Sequence, residues 1–155
     1  MTKKSEKTAF QTAIGYLSLR AAPLKTIREY LQKKGFSPEE IEAAAEKLVE
    51  HGIVKESDYA KRFVETHPSA GPRLLRLKLR QKGLSDEDTR AALDEISPEA
   101  EAERALALLR KKLGENPAPE ALQKGAQALL RRGFSYAAAR SAAKLLGDEA
   151  LFEEE

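Results

Sequence analysis

"KKGFSPEE", residues 33–40, holds a helix stop and a helix start side by side. Gly35 suits the left-handed residue that closes a helix, because it has no Cβ to clash there. Ser37, Pro38 and Glu40 then stand as N-cap, N1 and N3 of a capping box that opens the next helix. The device returns in "QKGLSDED" (81–88) and "RRGFSYAA" (131–138), which set Gly83 and Gly133 at spacings of 48 and 50 residues. Asp88 takes the N3 place in the second copy. The third copy keeps only its serine, Ser135.

Working outward from each glycine, a proline or a proline pair lies upstream: Pro23, Pro72, and Pro117 with Pro119. Between proline and glycine runs a helical pattern, "PLKTIREYLQKKG", "PRLLRLKLRQKG" and "PEALQKGAQALLRRG". A further helix fits before each proline, near 8–21, 56–66 and 98–113, the last with a Ser97-Pro98-Glu99 start. "LRLKLR" (75–80) alternates like a strand, yet it has no β-branched residue, begins after Gly71-Pro72 and ends at a helix-stop glycine. It is therefore assigned as helix. The expected fold is all-α: three tandem three-helix repeats in an elongated, curved array. The repeats fall at 8–52, 53–97 and 98–150, between a basic tail at 1–7 and an acidic tail, "LFEEE", at 151–155. "HPSAGP" and "GENPAP" read as inner loops.

Composition sets the class. The 155 residues include no cysteine, which excludes disulfides and thiolate metal sites. Tryptophan is absent, aromatics are 6% and charged residues 34%, as suits exposed helices around an Ala, Leu and Ile core. No run of eighteen apolar residues and no leader pattern appears, so a cytoplasmic protein without membrane contact is expected. No H-E-x-x-H, phosphate-loop or G-x-S-x-G motif occurs. His51 and His67 read as cap and surface. No catalytic residue, metal site or cofactor is therefore assigned.

The charges separate by helix. Residues 24–34 carry Lys25, Arg28, Lys33 and Lys34 against Glu29, a net +3; 72–82 carry Arg73, Arg76, Lys78, Arg80 and Lys82 with no acid, a net +5. The third helices, 38–50 and 86–95, hold five acids against one base, −4 each. Acids in a first turn and bases in a last turn oppose the helix dipole. That does not explain Arg73 and Arg76, which stand in first turns. With Arg80 they recur at i, i+3, i+7 and share a face, flanked by Leu75 and Leu79 on one side and Leu74 and Leu77 on the other. Arginine forks onto carboxylates and phosphates alike, so both an acidic protein surface and a nucleic acid suit the stripe. The acidic third helices, in contrast, argue against major-groove reading. Among the aromatics, Tyr30 beside Arg28 and Lys33 is the candidate for stacking on a base.

"HGIVKESDYAKRFVETH" (51–67) followed by "GPRLLRLKLRQKG" (71–83) resembles the RecX family of bacterial regulatory proteins. The resemblance is close over residues 10–96 and looser over 97–150. Pro23 departs from a usual serine cap, Lys55 replaces a usual acid, and Gly125-Ala126 interrupt the third basic helix. The resemblance implies three three-helix repeats and a non-enzyme that binds in the groove of the RecA–single-stranded DNA filament. It also implies lowered ATPase and strand exchange, filament disassembly, and a place in recombination, DNA repair and the SOS response. By position within the motif it gives contact roles to Arg73, Arg76, Arg80 and Lys82, and to Lys25, Arg28 and Lys34. A monomer is expected, with single-stranded or duplex DNA as the weaker partner. The alternative reading is a non-specific DNA-binding helical module.

Overall fold

The computed structural model describes residues 7–154, with side chains to Gly147. Of the two tails, only Lys7 and the helical backbone of 151–154 fall among them. Nine helices and no strand occur among the described residues: α1 (Ala9–Leu17), α2 (Leu24–Lys33), α3 (Pro38–Glu50), α4 (Glu56–Thr66), α5 (Pro72–Gln81), α6 (Asp86–Asp94), α7 (Pro98–Leu113), α8 (Pro119–Arg131) and α9 (Tyr136–Glu154). The alternating segment 75–80 is helical, as its flanking Gly-Pro and glycine stop require. No helix among the described residues is long and apolar enough to cross a membrane.

All three repeat glycines close a helix in the same way. Gly35, Gly83 and Gly133 have φ of 95°, 86° and 94°. The residue after each donates its N–H five residues back: Phe36 to Leu31 O at 3.2 Å, Leu84 to Leu79 O at 3.2 Å, and Phe134 to Leu129 O at 3.1 Å. This is the six-to-one bond of a Schellman motif, and both residues of each pair are buried, giving the apolar contact that goes with it.

The caps follow the sequence with two substitutions. Ser37 and Glu40 form the full box, the Ser37 N–H reaching Glu40 Oε1 at 2.8 Å. Ser85 Oγ accepts from the Asp88 N–H at 3.0 Å. Ser135 has alanine at N3, but its N–H donates to Glu101 Oε2 of α7 at 2.7 Å, so a carboxylate from another helix completes the box. Pro23 at the N-cap of α2 makes no side-chain cap bond; Glu56 of α4 accepts the Leu24 N–H at 2.7 Å instead. The starts of α2 and α9, which lack a local acid, are thus served by carboxylates of first helices.

By contact density the chain divides into two compact units: Met1–Arg62 with Leu79–Thr89, and Phe63–Lys78 with Arg90–Glu155. The first is centred on Ile27, Leu31, Ile41 and Leu48, where α1, α2 and α3 pack mutually. The second is centred on Leu109, Leu129, Phe134 and Leu146, where α9 lies on α7 and α8. Gly125 has its place there. A Cβ on it would stand 2.5 Å from Leu109 Cδ1, so the residue that interrupts the basic pattern of α8 lets α8 approach α7 closely.

Candidate functional site

The residues given contact roles lie on or just after α2 and α5. Within each unit, the start of one of these helices meets the end of the next copy's second helix. In the first unit, Lys25 Nζ of α2 donates to Gln81 O, in the last turn of α5, at 2.9 Å. In the second, Arg73 Nη2 of α5 donates to Leu130 O, in the last turn of α8, at 2.9 Å. Lys25 and Arg73 both lie ten residues before their own repeat glycine, so the two contacts are copies of each other. Each supplies a charged donor to a carbonyl in the last turn of a helix, at the negative pole of its dipole. A cation that is misplaced on its own helix is well placed on its neighbour.

The second-unit contact is the tighter. Gly71 donates its N–H to Arg132 O at 2.8 Å and Arg73 its N–H to Gly133 O at 3.0 Å, so backbone lies directly on backbone. Two arginines hold the loop that delivers Gly71. Arg104 of α7 donates to His67 O at 2.9 Å and Ala70 O at 3.0 Å. Arg132 donates from Nε to Ser69 O at 2.8 Å and from Nη2 to Ser69 Oγ at 2.9 Å. Burial holds the Arg104 guanidinium below the usual arginine value, and the Glu101 charge acts against that shift. His67, at the start of the same loop, stacks on Phe63 of α4 at 3.8 Å between ring centroids. Sequence reasoning passed over Arg104, Arg132 and Gly71. The one available signal was an arginine set in the alanine-rich run of α7.

The predicted contact residues accordingly divide. Arg73 and Lys25 are bonded to helix ends. Arg28 is forked onto Glu42 at 2.9 and 3.4 Å, and Arg80 pairs with Asp86 at 3.3 Å. Both ion pairs are well exposed and hold their arginines weakly. Lys34 Nζ lies over the Tyr30 ring at 5.5 Å. Lys82 and Lys78 are half-buried, and Lys82 has an interaction within the fold. Lys33 is exposed. Arg76 is exposed, with no hydrogen-bond or ion-pair partner among the described residues.

The leucines flanking the stripe sort unequally. Leu75 and Leu79 are fully buried, as their spacing requires. Leu74 is half-buried because the Gly133 turn covers it, whereas its flank-mate Leu77 is 52% exposed, directly beside Arg76. The outer face of α5 therefore offers a free guanidinium next to an open apolar side chain. No group of three or more His, Asp or Glu side chains placed to hold a metal occurs among the described residues.

Comparison with known proteins agrees with this architecture. Residues 9–48 match the RecX first three-helix domain and residues 99–142 the RecX third three-helix domain. The regulatory protein RecX of Bacillus pumilus is 31% identical over 136 residues, covering 84% of this chain and 52% of its own length. That of Mycolicibacterium smegmatis is 34% identical over 112 residues, covering 70% and 59%. The chain thus spans about half the length of the curated relatives it matches. The crystal structure of RecX from Lactobacillus salivarius shares the fold at a TM-score of 0.76 and 24% identity, over 89% of this chain and 94% of that one. A second crystal structure, of a regulatory protein RecX, gives 0.75 at 29% identity, over 91% and 72%. With both domain matches, relatives near 30% identity and solved neighbours over most of its length, the chain belongs to the RecX family.

Proposed function

We propose that this protein is a non-catalytic regulator of the RecA recombinase that seats in the groove of the RecA–single-stranded DNA filament. Bound there, it lowers ATPase and strand exchange and favours disassembly, in the context of recombination, DNA repair and the SOS response. ATP turnover belongs to RecA, and this chain needs no cofactor. It acts in the cytoplasm as a monomer. The repeats assigned to 8–52, 53–97 and 98–150 present several weak contacts on one chain, which gain avidity once the first is made.

The observation that carries the reading is the exposed pair Arg76–Leu77 on α5. A phosphate backbone would use the arginine and leave the leucine in water. A protein surface with an acid beside an apolar pocket uses both. Arg80 and Lys33 are further contact residues, since a weak ion pair and exposure leave them available. Arg73 and Lys25 contribute charge while staying bonded to helix ends. Lys78, Lys82, Arg28 and Lys34 are the remaining basic residues given contact roles.

Fluorescence anisotropy with labelled protein tests this against preformed RecA–DNA filament, bare single strand and RecA alone. The filament is expected to bind at least tenfold more tightly than either component. Equal affinity for filament and bare DNA, falling steeply with salt, would identify a non-specific DNA module instead.

A further inference from the structure

From the first unit we infer a binding site for single-stranded nucleic acid in the cleft between the ends of α1 and α2. It is a shallow cleft of about 570 Å³ whose lining includes Tyr16, Arg20, Tyr30, Lys34, Lys7 and Leu19. Tyr16 and Tyr30 touch, ring centroids 4.5 Å apart and tilted by 45°. Arg20 holds its guanidinium 4.7 Å from the centre of the Tyr16 ring, and Lys34 its ammonium 5.5 Å from that of Tyr30. Three cations line the cleft and no acid does. Leu19, at the rim, is 77% exposed.

Helix-dipole compensation explains only part of this. Arg20 and Lys34 follow the last turns of α1 and α2, where a positive charge is favoured. It does not explain why each is carried over a tyrosine, why the two rings meet, or why a large apolar side chain stands open beside them. The ligand that uses the whole set carries negative charge together with flat, polarisable surface. An acidic peptide would satisfy the cations and leave the rings and the guanidinium plane without a planar partner. A single-stranded nucleotide segment supplies both: its phosphates go to Lys7 and Lys34, and a base stacks on the Arg20 guanidinium or displaces it from Tyr16. A base pair inside a duplex has no free face to offer, so the strand must be single. This assignment rests on the proposal that the protein works on a DNA-bearing filament. It assigns the strand contact to residues of α1 and α2, and the protein contact to Arg76 and Leu77 of α5.

The chain has no tryptophan and four tyrosines, so its own fluorescence reports on this cleft. Oligothymidylate titrated into the full chain is expected to quench tyrosine emission. Arg20→Glu with Lys34→Glu should weaken oligothymidylate binding, followed by anisotropy, about tenfold or more. The charge-matched pair Lys111→Glu with Lys112→Glu, in the last turn of α7, should weaken it far less. Tyr16→Leu should remove most of the quench, since the base stacks on that side of the cleft; where that variant loses helicity, the exposed pair Arg20 and Lys34 carries the test alone. Equal losses from the two charge-reversed pairs would overturn the site, as would polyglutamate displacing the oligonucleotide at matched charge. Absence of any oligothymidylate binding would also overturn it, while inhibition of RecA by the same protein would leave the filament proposal standing.

Discussion

Gly71→Ala is expected to lower the stability of the protein by roughly 3 kcal/mol or more, a loss at the severe end for one added methyl group. Gly71 has no positive φ, so strain in its own backbone is not the cause. The cause is what faces it. A Cβ there would stand 2.4 Å from Gly133 C and Phe134 N and 2.6 Å from Gly133 O. None of those atoms can rotate aside, because all are main chain. The loop would have to lift, stretching the Gly71–Arg132 and Arg73–Gly133 backbone bonds together and uncovering Phe134, which is 1% exposed. Urea denaturation followed by circular dichroism measures the effect. An unchanged midpoint would mean that loop 67–71 does not rest on the α8–α9 turn.

Arg104→Met should cost about 2 kcal/mol. Methionine keeps much of the buried stem and removes only the donors, so packing and hydrogen bonding separate. The carbonyls of His67 and Ala70 lose a charged donor, at roughly 1.5–3 kcal/mol per bond, part of which returns because a half-buried guanidinium no longer has to be desolvated. Arg104→Lys should recover only part of the loss, since a single ammonium lacks the fork that reaches two carbonyls together. Full recovery in lysine would show that charge alone, and not the fork, holds the loop. Gly71→Ala and Arg104→Met act on the same strap, so their effects should be less than additive in the double variant.

The fold was legible because its signals are local. A glycine stop, a serine start and the proline before each second helix act within a few residues, and the structure shows a Schellman bond at every repeat glycine. The α1 segment is where local reading overran. Expected to 21, it ends at Leu17, because the Ser18 hydroxyl donates to Gly15 O at 2.7 Å and the following residues extend toward Pro23. The site was half legible. Charge counting isolated Arg73 and Arg76 as cations that their own helix does not explain. It could not supply the answer for Arg73, because the carbonyl that pairs with it belongs to a helix end 57 residues away. The same limit hid Glu101 as the cap acid of Ser135 and Glu56 as that of Leu24, at separations of 34 and 32 residues. Leu77 was placed on a flank with Leu74, and only the covering turn at Gly133 distinguishes them. What remains unused by the fold on α5 is a smaller set than the stripe, Arg76 with Leu77.

That set supplies the decisive variant. Arg76→Glu with Leu77→Glu changes two exposed side chains, each expected to alter stability by no more than about 0.5 kcal/mol. RecA's DNA-dependent ATPase, measured while wild-type protein or this variant is titrated in at substoichiometric levels, tests the central claim. Loss of ATPase with wild type, and its retention with a folded double variant, is the predicted result. Equal inhibition by both would show that the outer face of α5 is only solvated surface, and no inhibition by wild type would contradict the proposed function itself.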